Sequence, residues 1–237
     1  MNKKIAVIGG SGLFALELFQ GLEACHLATI YGKVKVTCGA ELLFLQRHGE
    51  PPRPPHRINH HANLKALHDW GADYIVAVNS TGSLRRELEP GTLLVPDDYF
   101  NPWAIKTFHD EELVFATPGL SQTVRRALLA AAAELEVAVV DGGVYIQTTG
   151  PRFETRAEVR VLAGWGSLVG MTMASEATLA CELGLPYASL CVIDNYANGI
   201  CAQVVDFKDI EKEQRRNAQL LARLLPVAIG QLQRSLV

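Results

Sequence analysis

Short apolar runs rich in β-branched residues alternate along the chain with segments of helical periodicity, and this alternation limits the folds open to it. The runs are apolar almost throughout, which is typical of strands buried on both faces of a sheet. We predict strands at 5–8, 42–45, 74–78, 92–95, 144–149 and 187–193, and helices at 63–70, 121–135, 155–164, 175–183 and 207–225. Because no change of composition marks a boundary, the pattern predicts a single α/β domain over residues 1–237.

The composition indicates no macromolecular partner. The 237 residues are 49% hydrophobic and 20% charged, with a formal net charge of −3, so the chain is long enough to bury a full core. A near-neutral balance favours neither nucleic acid nor a membrane surface. The sequence also has no apolar run of the roughly 18 residues that a membrane span needs. We therefore expect no nucleic-acid partner and no membrane partner.

The cysteines predict neither a zinc site nor a disulfide framework. Their number is odd and no two are spaced as in a CxxC motif. They are Cys25, Cys38, Cys181, Cys191 and Cys201. Cys181 and Cys191 lie in apolar segments and are predicted to be buried thiols. Reduced cysteines are typical of the cytoplasm, which is the expected location.

Glycines and polar residues follow most of the predicted strands. Ligands of α/β sheets gather at the carboxyl ends of the strands, so these segments form the candidate site. They are 9–12, 47–49, 80–83, 150–154 and 194–195. The first reads Gly9-Gly10-Ser11-Gly12, whose free N–H groups suit an anion, although a plain tight turn explains the same residues. It lacks the GxGxxG spacing, which argues against a dinucleotide-binding dehydrogenase.

Three further polar groups each allow a functional and a structural interpretation. Arg47 suits a bidentate phosphate contact, or is a surface charge at a strand end. The hydroxyls of 80–83 suit phosphate, or Ser83 caps a following helix. Glu176 lies at a predicted helix start, where its carboxylate either stabilises the helix dipole or accepts hydrogen bonds from sugar hydroxyls.

Glu154 and Asn195 are the two side chains that best suit a planar heterocycle. An ionised carboxylate only accepts hydrogen bonds, whereas a carboxamide both donates and accepts them. Together they match a purine that presents a ring N–H and a carbonyl. We therefore expect their two segments to converge on one ligand.

Taken together, these segments resemble the family of purine nucleoside phosphorylases and methylthioadenosine phosphorylases. Individually the motifs are weak, but their shared order from residue 5 to about 200 is specific. The resemblance is carried by Ile8 to Leu13, Arg47-His48-Gly49, Asn59 with Ala62-Asn63, Gly82 to Arg85, Gly150 to Glu158, Val169 to Thr172, and Leu183-Gly184.

The resemblance implies a fold, a reaction and a set of site residues. The fold is an αβα sandwich with a mixed central sheet, usually assembled as a homotrimer or a dimer of trimers. The reaction is reversible phosphorolysis, in which phosphate attacks the anomeric carbon of a purine nucleoside. Neither a metal nor an organic cofactor is expected, because inorganic phosphate is a co-substrate.

The resemblance also assigns roles to residues by motif. The residues that resemble the phosphate ligands are Ser11, Arg47, His48, Ser80 and Thr172. Phe153 resembles the residue that stacks on the base, and Met171 resembles the residue that lies along the ribose. Glu154 and Asn195 resemble the base-reading and catalytic pair.

The same pair separates two branches of the family. Methylthioadenosine phosphorylases typically have serine at the position of Glu154 and aspartates at the positions of Asn195 and Ala197. Glu154 with Asn195 resembles instead the enzymes of 6-oxopurines, because a carboxylate that accepts from N1–H rejects adenine. We therefore expect inosine, guanosine or 5′-methylthioinosine as substrate. The alternatives are a methylthioadenosine phosphorylase, a nucleosidase that uses water, and a nucleoside-binding relative without catalysis.

Overall fold

The computed structural model describes residues 2–10, 13, 16–103, 105–202 and 207–234, and for 207–216 it describes the backbone. Its strands are β1 (Ile5–Gly9), β2 (Glu23–Thr29), β3 (Gly32–Cys38), β4 (Leu42–Gln46), β5 (Tyr74–Ser83), β6 (Leu93–Val95), β7 (Asp98–Phe100), β8 (Val139–Asp141), β9 (Val144–Gln147), β10 (Leu168–Gly170) and β11 (Tyr187–Tyr196). Its helices are α1 (His60–Trp70), α2 (Gln122–Glu134), α3 (Arg156–Leu162), α4 (Met173–Glu182) and α5 (Phe207–Arg234).

Alternating side chains of each central strand enter two separate cores. In β1, Ile5 and Val7 join the core formed with α2 and α5, whereas Ala6 and Ile8 join the core formed with α1 and α4. All four are fully buried. This explains why the run is apolar without alternation, because both faces of the strand are covered. The arrangement confirms the predicted αβα layering.

The sheet is mixed, and β5 lies at its centre. β4, β1, β5 and β11 are mutually parallel, with β1 on one side of β5 and β11 on the other. Beyond the end of β1, the last two residues of β5 pair instead with β10, which runs antiparallel to β5 and parallel to β9. The carboxyl ends of β9 and β10 therefore point back along β5, rather than in the direction of the parallel group.

Capping residues set the starts of three helices. Asn59 accepts a hydrogen bond from the Ala62 N–H at the start of α1, and Ser121 caps α2 in the same way. Thr155 and Glu158 form a reciprocal capping box at the start of α3. Such caps satisfy backbone N–H groups that have no partner within the helix. As a result, α1 begins three residues before its predicted start, and α2 and α3 each begin one residue after theirs.

The structure departs from the sequence prediction mainly in short elements. The β2–β3 hairpin and the three-residue strands β7, β8 and β10 were not predicted. Strands of that length carry too few residues for a periodic signal. Conversely, α5 continues to Arg234, nine residues beyond the predicted end, because Leu224, Ala228 and Leu232 keep a helical spacing into the core. Within the described residues, no helix combines the length and apolar character that crossing a membrane requires.

Candidate active site

Several of the predicted site residues lie near the junction of β10 with the last residues of β5. Val169 pairs with Gly82 in the antiparallel register, so the chain after β10 runs back past Ser80 and Asn79. On the other side of β5, Asn195 pairs with the same Gly82 after a bulge that follows Ile193. The site therefore lies along the last residues of β5, and not simply at the shared carboxyl edge that a parallel sheet provides.

Arg47 is buried and forms a paired ion contact with Glu176. Its Nε donates to Glu176 Oε1 at 2.5 Å and its Nη2 to Oε2 at 3.1 Å, while Nη1 donates to the Val78 carbonyl at 2.8 Å. The Tyr187 hydroxyl adds a 2.8 Å bond to Glu176 Oε2. Burial would lower the pKa of the Arg47 guanidinium, but Glu176 outweighs it and raises that pKa. Three of the five guanidinium N–H groups thus have acceptors, and the other two have none among the described residues.

This contact decides between the interpretations of Glu176. Its side chain is only 1% exposed, and both carboxylate oxygens accept from protein donors. It is therefore neither a simple helix-end charge nor an acceptor for sugar hydroxyls. Arg47 is likewise not a surface charge, since its side chain is 4% exposed.

Thr172 is held by a chain of buried hydrogen bonds. The Asn79 amide donates to Thr172 Oγ1 at 2.9 Å, and Ser189 Oγ donates to Asn79 Oδ1 at 2.6 Å. Because the Thr172 hydroxyl accepts from Asn79, its own proton is available to a ligand. Tyr145 accepts from the backbone N–H of Thr172 at 3.2 Å and of Met173 at 3.4 Å. The turn that begins α4 is therefore fixed from two sides.

Gly170 is required by this packing. A Cβ built at Gly170 would lie 2.1 Å from the Tyr145 hydroxyl oxygen, so the tyrosine or the backbone would have to shift to admit a side chain. Tyr145 is completely buried, and burial raises the pKa of its phenol well above the ordinary value. The hydroxyl therefore stays protonated and close to the backbone that it supports.

His48 and His60 are both neutral at neutral pH. Burial lowers the pKa of His48, and the Arg47 charge adds to that effect. His48 Nδ1 lies 2.8 Å from the Arg53 carbonyl, which can only accept, so Nδ1 carries the proton and Nε2 is left as an acceptor. Burial lowers the pKa of His60 to about 4. A neutral His48 suits the O–H of a hydrogen phosphate rather than a bare phosphate oxygen.

The hydroxyls of 80–83 do not act alike. Ser80 Oγ makes a short hydrogen bond to the buried Asp194 carboxylate, so its proton is directed to Asp194. Ser83 Oγ accepts from the Arg85 N–H at 3.1 Å and donates to its carbonyl at 2.6 Å. Because strand β5 is followed by a turn, Ser83 stabilises that turn and does not cap a helix. The predicted phosphate ligand Ser11 lies outside the described residues.

Glu154 is buried, and its hydrogen bonds join it to Thr148 and to the loop after β11. Thr148 Oγ1 donates to Glu154 Oε1 at 2.6 Å, and the Asn198 amide donates to the Glu154 carbonyl at 3.2 Å. Asn198 follows Asn195 by three residues, so the second bond ties the loop after β11 to Glu154. Asn195 Nδ2 donates to the Tyr196 carbonyl at 2.8 Å. It also lies 3.5 Å from the place that a Cβ at Gly82 would occupy.

Phe153 and Met171 border the same region but are more open. Phe153 is 43% exposed, and Met171 is half-buried. Met171 Sδ lies 2.6 Å from the position of a Cβ at Gly150, whose φ of +66° also favours glycine. Beside them, a cleft of about 610 Å³ is lined by residues that include Glu154, Trp103 and Trp165. Among the described residues that line this cleft, Glu154 is the only one of the nine predicted site residues.

Three residues that shape the site were not predicted to do so: Asn79, Glu176 in its pairing role, and His60. Asn79 is a polar residue at the end of an apolar strand, which is a signal that the sequence does carry. Glu176 and His60 gave no such signal, because Glu176 meets Arg47 across 129 positions of sequence. His60 precedes the predicted start of its helix.

Comparison with known proteins identifies the family. The model of the phosphorylase superfamily matches residues 4–229. A probable 6-oxopurine nucleoside phosphorylase of Archaeoglobus fulgidus is 37% identical over 231 residues, covering 95% of each chain. A probable S-methyl-5′-thioinosine phosphorylase of Methanothermobacter thermautotrophicus is 36% identical, covering 96% of this chain and 84% of that one.

A solved structure with the same fold extends the comparison. Methylthioadenosine phosphorylase from Schistosoma mansoni, in complex with adenine, aligns with a TM-score of 0.86 at 25% identity, over 96% of this chain and 91% of the other. The same overall fold is therefore shared over nearly the whole chain. On its fold and its sequence, the chain belongs to the phosphorylase superfamily.

Proposed function

We propose that the chain is a 6-oxopurine nucleoside phosphorylase, a pentosyltransferase that splits inosine, guanosine or 5′-methylthioinosine with phosphate. The observation that carries the proposal is the buried position of Glu154, whose backbone carbonyl accepts from Asn198 in the loop that follows Asn195. Thr148 occupies one of its oxygens, so the other is available to accept from a purine N1–H. Both relatives reported above are named for nucleosides of 6-oxopurines, which supports the same base.

Phosphate is assigned to the buried side of the site. Arg47 keeps two N–H groups for an anion, and Thr172 keeps its hydroxyl proton. His48 Nε2 accepts the proton of hydrogen phosphate. Ser80 contributes less through its hydroxyl, because that proton is directed to Asp194. Ser11 completes the predicted set.

The reaction needs charge stabilisation at two places. Cleavage of the glycosidic bond builds positive charge on the sugar and negative charge on the purine. The held phosphate stabilises the sugar and then bonds to its anomeric carbon. Asn195 donates to N7 or O6 of the departing base, and a preorganised donor of this kind contributes about 3 kcal/mol. Phe153 stacks on the base and Met171 lies along the ribose.

The remaining parts of the proposal follow the family. The enzyme works as a homotrimer or a dimer of trimers in the cytoplasm, as one domain, and without a metal or organic cofactor. Nucleosides with a 5′-hydroxyl and with a 5′-methylthio group are both proposed as substrates, because one relative is named for 6-oxopurine nucleosides and the other for methylthioinosine.

A phosphate-dependent substrate panel tests the choice of base. The purified protein is assayed with inosine, guanosine, adenosine, methylthioadenosine and methylthioinosine, and the released base is quantified by chromatography. We expect turnover of 6-oxopurine nucleosides at least 100-fold faster than of 6-aminopurine nucleosides, because an unpaired buried acceptor costs about 3 kcal/mol. Faster cleavage of methylthioadenosine would establish the alternative.

Asn195→Asp tests the residue that is assigned to the base. The substitution should lower turnover of inosine and narrow the ratio of inosine to adenosine activity. Asn59→Asp is the matched control, because Asn59 is exposed and an aspartate still caps α1. An unchanged ratio in Asn195→Asp would remove Asn195 from the base-reading pair.

The phosphate requirement separates the reaction classes. Dialysed enzyme should release base only when phosphate or arsenate is added. Cleavage at an equal rate without either anion would indicate a nucleosidase. Tight inosine binding in phosphate buffer without any product would indicate a binding protein.

A further inference from the structure

Two cysteines far from the proposed site lie side by side in the β2–β3 hairpin. The Sγ atoms of Cys25 and Cys38 are 2.8 Å apart, which is about 0.75 Å more than the length of a disulfide bond. Both residues are half-buried and both carry free thiols. Their spacing of 13 positions matches no cysteine motif, so the hairpin pairing alone reveals the contact.

The hairpin register explains how the two side chains meet. Cys25 pairs with Val36 and Cys38 with Glu23, so the two cysteines are diagonal neighbours on one face of the antiparallel pair. Diagonal neighbours are usually too far apart for a bond unless the strands twist strongly, which two-stranded ribbons do. β2 is an edge strand that pairs with β3 on one side. It can therefore move by less than 1 Å without breaking another strand pair.

We propose that Cys25 and Cys38 are a site of oxidative modification, at which a peroxide converts the two thiols into a reversible cross-strand disulfide. In the first step the Cys25 thiolate attacks one oxygen of hydrogen peroxide, the O–O bond breaks, and hydroxide leaves to become water. This gives a sulfenic acid on Cys25. Cys38 sulfur then attacks Cys25 sulfur, and the hydroxyl leaves as a second water with the Cys38 proton. Two thiols are oxidised and one peroxide is reduced to two waters.

The order of the two steps follows from the surroundings of Cys38. Burial, together with the contact with Cys25, raises the pKa of the Cys38 thiol to about 11. Cys38 therefore keeps its proton at neutral pH and serves as the second, resolving thiol. Since the thiolate is the reactive form, Cys25 reacts first.

The disulfide would strengthen the edge of the sheet without touching the proposed site. Cys38 is at the end of β3, where it pairs with Leu43 of β4. The bond would close a short loop in the hairpin and so reduce the conformational entropy of the unfolded chain. We expect the thermal midpoint to rise by about 5 °C on oxidation and to return on reduction. Phosphorolysis rates of the oxidised and reduced proteins should agree within about twofold.

Peptide mass spectrometry tests the bond directly. Trypsin cleaves after Lys33 and Lys35, so Cys25 falls in peptide 5–33 and Cys38 in peptide 36–47. After treatment of the folded protein with hydrogen peroxide, a non-reducing digest should contain these two peptides joined, and dithiothreitol should separate them. The double variant Cys181→Ser with Cys201→Ser removes the other partly exposed thiols and should still give the joined peptide.

Single variants test the order of the steps. In Cys38→Ser, dimedone should label a sulfenic acid on Cys25, whereas Cys25→Ser should leave Cys38 mostly unlabelled at pH 7. The proposal is overturned if peroxide leaves both peptides separate, or oxidises each cysteine singly to the sulfinic acid. A joined peptide that links Cys25 or Cys38 to any other cysteine would overturn it as well.

Discussion

The two sides of the candidate site are built differently. On the anion side, Arg47, Thr172 and Glu176 are buried and each is held by hydrogen bonds from at least two other elements. On the base side, Phe153 is exposed and Asn195 lies in a strand bulge next to a loop. The anion side is therefore part of the buried core, whereas Phe153 and Asn195 on the base side lie at its surface. Changes on the anion side should therefore cost stability, and changes at Phe153 or Asn195 should alter substrate binding and turnover with little loss of stability.

The largest expected effect is at the buried ion pair. Glu176→Gln leaves the Arg47 guanidinium in the core without a counter-charge, which should destabilise the protein by about 3–5 kcal/mol. Urea denaturation followed by circular dichroism measures the loss. Glu158→Gln is the matched control, because Glu158 forms an exposed pair with Arg152. Equal unfolding midpoints for the two variants would contradict the assignment of Arg47 to the core.

The next effect concerns pH, and it arises from His60. Its pKa is about 6.5 in an unfolded chain and about 4 in the folded protein, so the unfolded state binds more protons between these values. Stability that is present above pH 6.5 should thus be lost as the pH falls towards 4, by about 3 kcal/mol for this residue.

His60→Phe should flatten that dependence, because the ring remains and the titrating group is removed. Its Nδ1 is buried and has no hydrogen-bond partner among the described residues, so phenylalanine breaks no bond at that atom. Free energies of unfolding at pH 5 and pH 7 provide the comparison. A variant with the same slope as the parent protein would show that other groups control the acid response.

A smaller loss of stability is expected where the two sides join. Gly170→Ala places a methyl group against the Tyr145 hydroxyl, and such overpacking costs about 1–3 kcal/mol. Gly119→Ala, at a position with open space around its Cβ, controls for the change of residue type. If thermal midpoints of both variants match that of the parent, the close packing at Gly170 is not required.

The smallest effect on stability belongs to the base side. Phe153→Ala should leave the unfolding midpoint unchanged and raise KM for the nucleoside about tenfold, because stacking of a base on an aromatic ring contributes about 1–3 kcal/mol. Steady-state kinetics at saturating phosphate measure it. Ile30→Ala, at an exposed hairpin turn, should change neither quantity. A large stability loss in Phe153→Ala would erase the contrast between the two sides.

The sequence predicted the parts of the fold that carry a repeated local signal. A strand such as 74–78 is recognisable because its residues form a continuous apolar run. A helix such as 121–135 is recognisable because apolar residues recur every three or four positions. By contrast, β10 has three residues, and its antiparallel direction depends on its pairing with β5. The direction of that strand decides where Thr172 lies, so the detailed geometry of the site was beyond sequence reasoning.

The same distinction applies to individual side chains. Glu154 and Asn195 were predicted as site residues because a carboxylate and an amide after strands are unusual and chemically specific. The bonds from Glu176 to Arg47 and from Asn79 to Thr172 join residues 129 and 93 positions apart. No spacing rule connects such residues. Their pairing follows from burial, which requires every charge and amide to find a partner.

The position of β5 has a consequence for laboratory evolution. Its residue Asn79 belongs to the anion side, whereas Gly82, three positions later, borders Asn195. Random substitutions within β5 would therefore damage both functions at once. Libraries limited to 148–154 and 195–198 would vary the residues around Glu154 and Asn195 while Arg47 and Thr172 stay unchanged. New nucleoside preferences should accordingly emerge from those two short segments more often than from the rest of the chain.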